Sequence, residues 1–251
     1  MACCMPLKSS NLNVNILVLE PTVVVDQLVE ALKHFTSWSV TFGCIHSSIL
    51  QSIHGNMIIW YGAWMKRSDD NQKLLDSALL FMLAKISSMA DIVANNFFQA
   101  YGGESKNGFL AARFSTGDTV SLSDMAYSSP NNASELDLPN TILATFQSRF
   151  LTMDGATSGV CLKKYYNYTD SRANDSVLNF CVWESLEYCY SYIMRSDIKY
   201  EGLSVHLKHY ISRVIYVSGE DVLNFQHSPW PPHFILAANR DENYIQANEM
   251  M

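Results

Sequence analysis

Residues 52–67 read SIHGNMIIWYGAWMKR. A turn signal, His54-Gly55-Asn56, precedes nine residues, Met57 to Met65, that carry no charge. Glycine and asparagine both tolerate the positive φ of a tight hairpin, so the chain should reverse here. In an extended strand side chains alternate between faces. Ile58, Trp60, Gly62 and Trp64 then share one face, and Met57, Ile59, Tyr61, Ala63 and Met65 share the other. Both faces are apolar, which predicts an inner strand covered on both sides.

The flanking segments read outward from that strand. Cys44 to Ile53 alternates, with Ile45, Ile49 and Ile53 opposite His46, Ser48 and Ser52, and predicts a strand with one buried face. Val14 to Leu19 is a short apolar run typical of a buried strand. Pro21-Thr22 opens a helix in which Val24, Leu28, Leu32 and Phe35 fall on one face. After Ser68-Asp69-Asp70, an N-cap with acids in the first turn, Leu75, Leu79, Met82, Ile86, Met89 and Val93 keep helical spacing, and the helix is expected to end before Gly102-Gly103. Leu80, Phe81 and Leu83 widen its apolar stripe and predict a buried middle. Phe109 to Phe114 and Thr119 to Leu122 flank a second hairpin signal, Ser115 to Asp118. A loop at Asp124–Asp137, a helix from Pro139, a turn at Asp154–Gly159 into a strand Val160–Lys164, a strand Val177–Trp183, a helix capped by Ser185 and a strand Ile211–Val217 follow. The expected class is α+β, a mixed or antiparallel sheet with packed helices, its first half in ferredoxin-like strand-helix-strand-strand-helix-strand order. One domain is expected over residues 8–226, with an irregular tail, rich in proline and then polar, over 227–251.

Charged residues make up only 16% of the chain, against about 25% in ordinary globular proteins, which leaves a weakly charged surface open to association. Net charge is −7, so the chain lacks the basic footprint that nucleic-acid binding needs. Lys163-Lys164 beside Tyr165, Tyr166 and Tyr168 is read as a polar strand end. No stretch reaches the ~18 uncharged apolar residues of a membrane span. Met1 to Leu12 lacks the apolar core of a secretion signal, so the Asn-x-Ser/Thr triplets at Asn132, Asn167 and Asn174 carry no weight, and the expected compartment is the cytosol, with or without the nucleus. The six cysteines form no Cys-x-x-Cys pair; all are expected as free thiols, with Cys3 and Cys4 exposed and most reactive.

The catalogue of chemical motifs is thin. No dinucleotide fingerprint, Walker loop, His-Glu-x-x-His or Gly-x-Ser-x-Gly occurs. Asp154-Gly155-Ala156-Thr157-Ser158-Gly159 is the nearest approach to an anion cradle, with Ser158 its candidate ligand-binding residue; a tight connection is the competing reading. His206 and His209 have a workable metal spacing on a helix, but no acid or thiol completes the set, and they read as a solvated face. His54, Trp60 and Trp64 are the remaining candidates, because Gly62 between the tryptophans leaves a notch for a flat ligand, unless it serves only packing. No metal or cofactor is expected.

Five blocks resemble a known family: PTVVVDQLVEALKHF (Pro21–Phe35), SIHGNMIIWYGAWMKRS (Ser52–Ser68), FSTGDTVSL (Phe114–Leu122), MDGATSGVCLK (Met153–Lys163) and VWESLEYCYSYI (Val182–Ile193). They are similar to an uncharacterised plant-specific family catalogued as a domain of unknown function, over about Leu12 to Leu223. The resemblance implies a plant protein with one domain and brings no activity, cofactor or site residue. The leading expectation is therefore a non-catalytic interaction or regulatory module, with a protein partner or self-association and neither nucleic acid nor membrane. The alternative is a small-ligand-binding protein or enzyme with a pocket near Trp60, Trp64 and His54.

Overall fold

A computed structural model describes residues 2–127, 138–164, 176–195 and 205–219. In chain order the elements are β1 (Ala2–Pro6), β2 (Leu12–Pro21), α1 (Val25–Thr41), β3 (Cys44–Ser52), β4 (Ile58–Met65), α2 (Asp69–Ile86), β5 (Ala90–Ser105), β6 (Ala111–Ser115), β7 (Thr119–Tyr127), α3 (Leu138–Phe150), β8 (Ala156–Lys164), β9 (Ser176–Trp183), α4 (Leu186–Arg195) and β10 (Val205–Gly219). Eight strands close into an antiparallel barrel in the order β10-β3-β4-β2-β5-β8-β9-β7, with β7 returning to β10. The α+β class and the antiparallel sheet with packed helices are as expected; the closure is not. A closed sheet has no exposed edges.

β4 is the inner strand that its sequence predicts. It pairs with β2 on one side and β3 on the other, and Trp60, Tyr61 and Trp64 have no exposed surface. Ile59, Tyr61 and Ala63 join the barrel interior, while Ile58, Trp60 and Trp64 join the layer beneath α1 and α2. Closure also buries the face of β3 expected to meet solvent: His46 and Ser48 lie inside. The barrel interior is completed by a ribbon of β1 and β6, which supplies Cys3, Met5, Ala112 and Phe114 to the same cluster.

One boundary, one pairing and one burial pattern differ from expectation. The helix after Ser68 stops at Ile86, and residues 90–105 form β5, which pairs first with β2 and then with β8. Sheet pairing overrides the continuing helical spacing of Met89 and Val93. β6 and β7 flank the expected turn without pairing to each other: β6 joins β1, whereas β7 joins β9 and β10. In α2, Leu75, Leu79, Met82 and Ile86 are buried as predicted, but Leu80 and Phe81 face solvent, because the helix meets the sheet along one stripe only. No helix among the described residues is long and apolar enough to cross a membrane. Asn132, Asn167, Asn174 and the segment 227–251 lie outside the described residues.

All six cysteines are free and buried. Cys3 and Cys4 were expected to be exposed; β1 pairing with β6 instead leaves them 0% and 1% exposed. Burial pushes the Cys44, Cys181 and Cys189 thiols up to about 12, and the Cys3 thiol upward as well. A thiol held neutral reacts slowly. Labelling of the native chain with a disulfide reagent at mild alkaline pH should therefore find no reactive cysteine until denaturant is added. Rapid reaction of Cys3 or Cys4 would show that β1 detaches from β6.

Candidate functional site

The outer face of the barrel is covered by helices in both halves, but the two covered faces differ in chemistry. Under α1 and α2 the sheet presents Leu17, Leu19, Ile49, Ile58, Trp60 and Trp64, with the hydroxyls of Ser47 and Thr36 paired at the seam with α1. Trp60 stands edge-on to Phe35 at 4.8 Å and donates from Nε1 to Thr36 Oγ1 at 2.9 Å. Its indole fills the notch at Gly62, where an added Cβ would lie 2.2 Å from the ring. Trp60 and Trp64 are thus sealed core residues, and the notch is closed by Trp60 itself.

The other sequence candidates are equally dispersed. His54 sits exposed in the β3–β4 turn, with its ring 5.2 Å from that of Tyr190 on α4 and its Nε2 in contact with the tyrosine hydroxyl. Ser158 is buried in β8. The expected turn over Asp154–Gly159 ends at Gly155, because β8 begins at Ala156; at Gly155, whose φ is +68°, the space above the backbone is taken by Tyr188, an aromatic ring and not an anion site. The structure brings none of these four residues into one pocket.

Under α3 and α4 an apolar layer that includes Phe146, Met153 and Trp183 also holds a group of polar side chains. β7 contributes Ser121 and Ser123, β9 contributes Asn179, Cys181 and Trp183, and β10 contributes His209; Arg149 of α3 and Tyr192 of α4 close over them. The enclosed cavity measures about 30 Å³, roughly one water's share of volume. Trp183 Nε1 donates to Ser121 Oγ at 2.9 Å, and its ring lies 5.4 Å from that of Tyr192. Ser123 Oγ lies 2.8 Å from His209 Nδ1. Asn179 is only 6% exposed, and its Oδ1 has no hydrogen-bond partner.

Burial lowers the His209 pKa, which keeps the imidazole neutral near pH 7. With Nδ1 engaged by Ser123, Nε2 is the nitrogen left to meet a ligand. Burial first, and then the neighbouring Cys181 thiol, raise the Tyr192 phenol to about 12, against the opposing pull of Arg149. Arg149 forms no salt bridge among the described residues. The face therefore offers a neutral imidazole, an unpaired amide oxygen and a guanidinium to one small volume. Among the described residues no cluster of histidine, cysteine or carboxylate is arranged to hold a metal.

Sequence reasoning missed this face for a definite reason. His206 and His209 were expected on a solvated face, but His209 lies on a strand, where a three-residue step reverses the side of the sheet, and is half-buried; the His206 side chain lies outside the described residues. Its actual partner, Ser123, is 86 residues away and carries no motif.

The model of a domain of unknown function, DUF7392, matches residues 96–216, the segment that builds this polar face. No curated protein matches the chain. Three solved structures are similar. An anthrone oxidase-like protein superposes with a TM-score of 0.62 at 11% identity, covering 86% of this chain and 96% of that one. A candidate monooxygenase from Fusobacterium nucleatum subsp. nucleatum gives 0.52 at 11% identity, with 84% and 95% covered. A candidate chlorite dismutase gives 0.51 at 10% identity, with 82% and 96% covered. At such identities the likeness establishes the α+β barrel fold alone. It also corrects the leading expectation of a non-catalytic interaction or regulatory module. The similar solved structures carry the names of enzymes, which favours the alternative, a small-ligand-binding protein or enzyme, over that expectation.

Proposed function

We propose that this chain is a small-ligand-binding protein whose site lies between the polar outer face of β7, β9 and β10 and the helices α3 and α4. The elements run strand-helix-strand-strand-helix-strand twice, as β2-α1-β3-β4-α2-β5 and then β7-α3-β8-β9-α4-β10. The same architecture is thus used twice, once filled with tryptophan and leucine and once lined with serine, asparagine and histidine. The observation that carries the reading is the buried, unpartnered Asn179 oxygen. A buried acceptor left unpaired costs about 1–3 kcal/mol, a cost that a ligand donor would recover. The cavity as it stands has room for about one water, so a ligand enters only with Arg149 and Tyr192 displaced; the lining then complements a small hydroxy-carboxylate, its hydroxyl at Asn179 Oδ1 and His209 and its carboxylate at Arg149. The half-exposed side chains of Arg149 and Tyr192 form the entrance. The neighbours named for oxidation chemistry support a site of this kind without specifying the reaction.

Saturation-transfer NMR of the full chain with a panel of small hydroxy- and keto-carboxylates tests the reading. A binder is expected, weakened about tenfold or more by Arg149→Ala, since a charge-assisted hydrogen bond contributes about 1.5–3 kcal/mol. Asn179→Leu should abolish binding while leaving stability unchanged or raised, because it removes an unpaired buried oxygen. A panel without a binder, or a binder indifferent to both substitutions, refutes the site.

A further inference from the structure

A separate groove runs between α1 and α2 and shares no residue with the polar site. We propose that it binds a carboxylated amphiphile, with the apolar body lying between the helices and the carboxylate meeting Lys85 and His34. Its volume is about 470 Å³, inside the roughly 300–1,000 Å³ range of small-molecule sites. Phe35, Met82 and Ile86 form a buried floor, and Phe35 rests on Trp60 beneath it. Trp38 and Phe81 form the walls, yet they are 57% and 78% exposed. A phenylalanine that open to water gains nothing where it stands, and burying it contributes about 1.5–3 kcal/mol. The concavity distinguishes this face from isolated surface apolar residues, which need no explanation.

The charge pattern selects the headgroup. Lys85 makes no ion pair among the described residues, and His34 lies across the groove from it. The nearby acid of α1, Glu30, is engaged by Lys33 at 2.6 Å. The rim is therefore cationic above an apolar floor, the complement of a fatty or aromatic acid and not of a neutral or cationic lipid.

Trp38 reports occupancy directly. Titrating the full chain with dodecanoate, below the concentration at which it forms micelles, should give a saturable single-site change in tryptophan emission, shifted to the blue. Trp38→Phe should remove that signal without removing binding by calorimetry. Phe81→Ser should weaken binding about tenfold through lost apolar contact, and Lys85→Gln roughly fivefold through the lost ion pair. Dodecyltrimethylammonium, with the same chain and the opposite charge, should bind at least as weakly to the native protein as dodecanoate does to Lys85→Gln. Absence of saturable binding, equal affinity for the two detergents, or full affinity in Phe81→Ser each overturns the proposal. So does sedimentation showing a dimer that Phe81→Ser dissociates and dodecanoate leaves intact, since the groove would then belong to a second copy.

Discussion

Replacing Trp60 with alanine should lower the free energy of unfolding by about 3–5 kcal/mol, the range for truncating a buried aromatic. Three losses combine. The indole is fully buried, so its removal opens a cavity between β4 and α1 that a barrel strand hydrogen-bonded on both sides cannot collapse to fill. The edge-on contact with Phe35 disappears. The hydroxyl of the fully buried Thr36 loses the indole donor at 2.9 Å and is left with a long contact from Ser47 Oγ at 3.5 Å. Gly62 supplies an internal check. An added methyl there strikes the Trp60 ring at 2.2 Å, so Gly62→Ala should destabilise the native chain by about 1–3 kcal/mol through overpacking. In the Trp60→Ala background the same substitution should cost far less, giving a large coupling in the double-mutant cycle. Denaturant melts read both quantities. A Trp60→Ala loss below about 1 kcal/mol would remove β4 from the centre of the sheet.

That strand was legible because its pattern is redundant: nine consecutive uncharged residues are apolar on both faces, and only an inner strand satisfies both. Barrel closure was not legible, because it depends on β10 pairing with both β3 and β7 across long separations that leave no local trace. The consequence appears at His46 and Ser48, whose polarity reads as a solvent face until the sheet closes around them. β5 was misread because Met89 and Val93 continue the helical step of α2, and only pairing with β2 decides the matter. Phe81 shows the opposite error: an apolar residue on a helix was assigned to core, although α2 turns it outward beside the groove. The candidate site suffered most. Gly62 beside two tryptophans resembles a ligand notch in sequence, but the indole occupies its own notch. The polar face is assembled from two serines, an asparagine, an arginine and a histidine on four separate elements, β7, β9, α3 and β10, none of which forms a motif with a sequence neighbour.

Acidification should unfold this protein through His46. The imidazole lies inside the barrel, 1% exposed, stacked on Tyr61 at 5.5 Å, with neither ring nitrogen in a well-formed hydrogen bond. Burial lowers its pKa from 6.5 to about 4, and only the Cys4 backbone opposes the shift. The folded chain therefore leaves His46 neutral between those values while the unfolded chain takes up a proton. Stability is full above about pH 6.5 and declines as pH falls toward about 4, where the loss reaches about 3 kcal/mol from this residue alone. The thiol of Cys3 and the phenol of Tyr61, both shifted upward, stay protonated throughout this window and add nothing to the slope. Asp124, whose pKa is raised by burial, acts in the opposite sense, so the effect is read as a difference between two chains. His46→Leu removes the titrating group and two buried nitrogens that lack a well-formed hydrogen bond. It should match or exceed the native chain in stability at pH 7, and it should lose the part of the acid slope that His46 contributes. Urea melts of both chains from pH 7 to pH 4 give the comparison. Parallel slopes would mean that water or a backbone partner reaches the ring inside the barrel and that His46 is protonated in place.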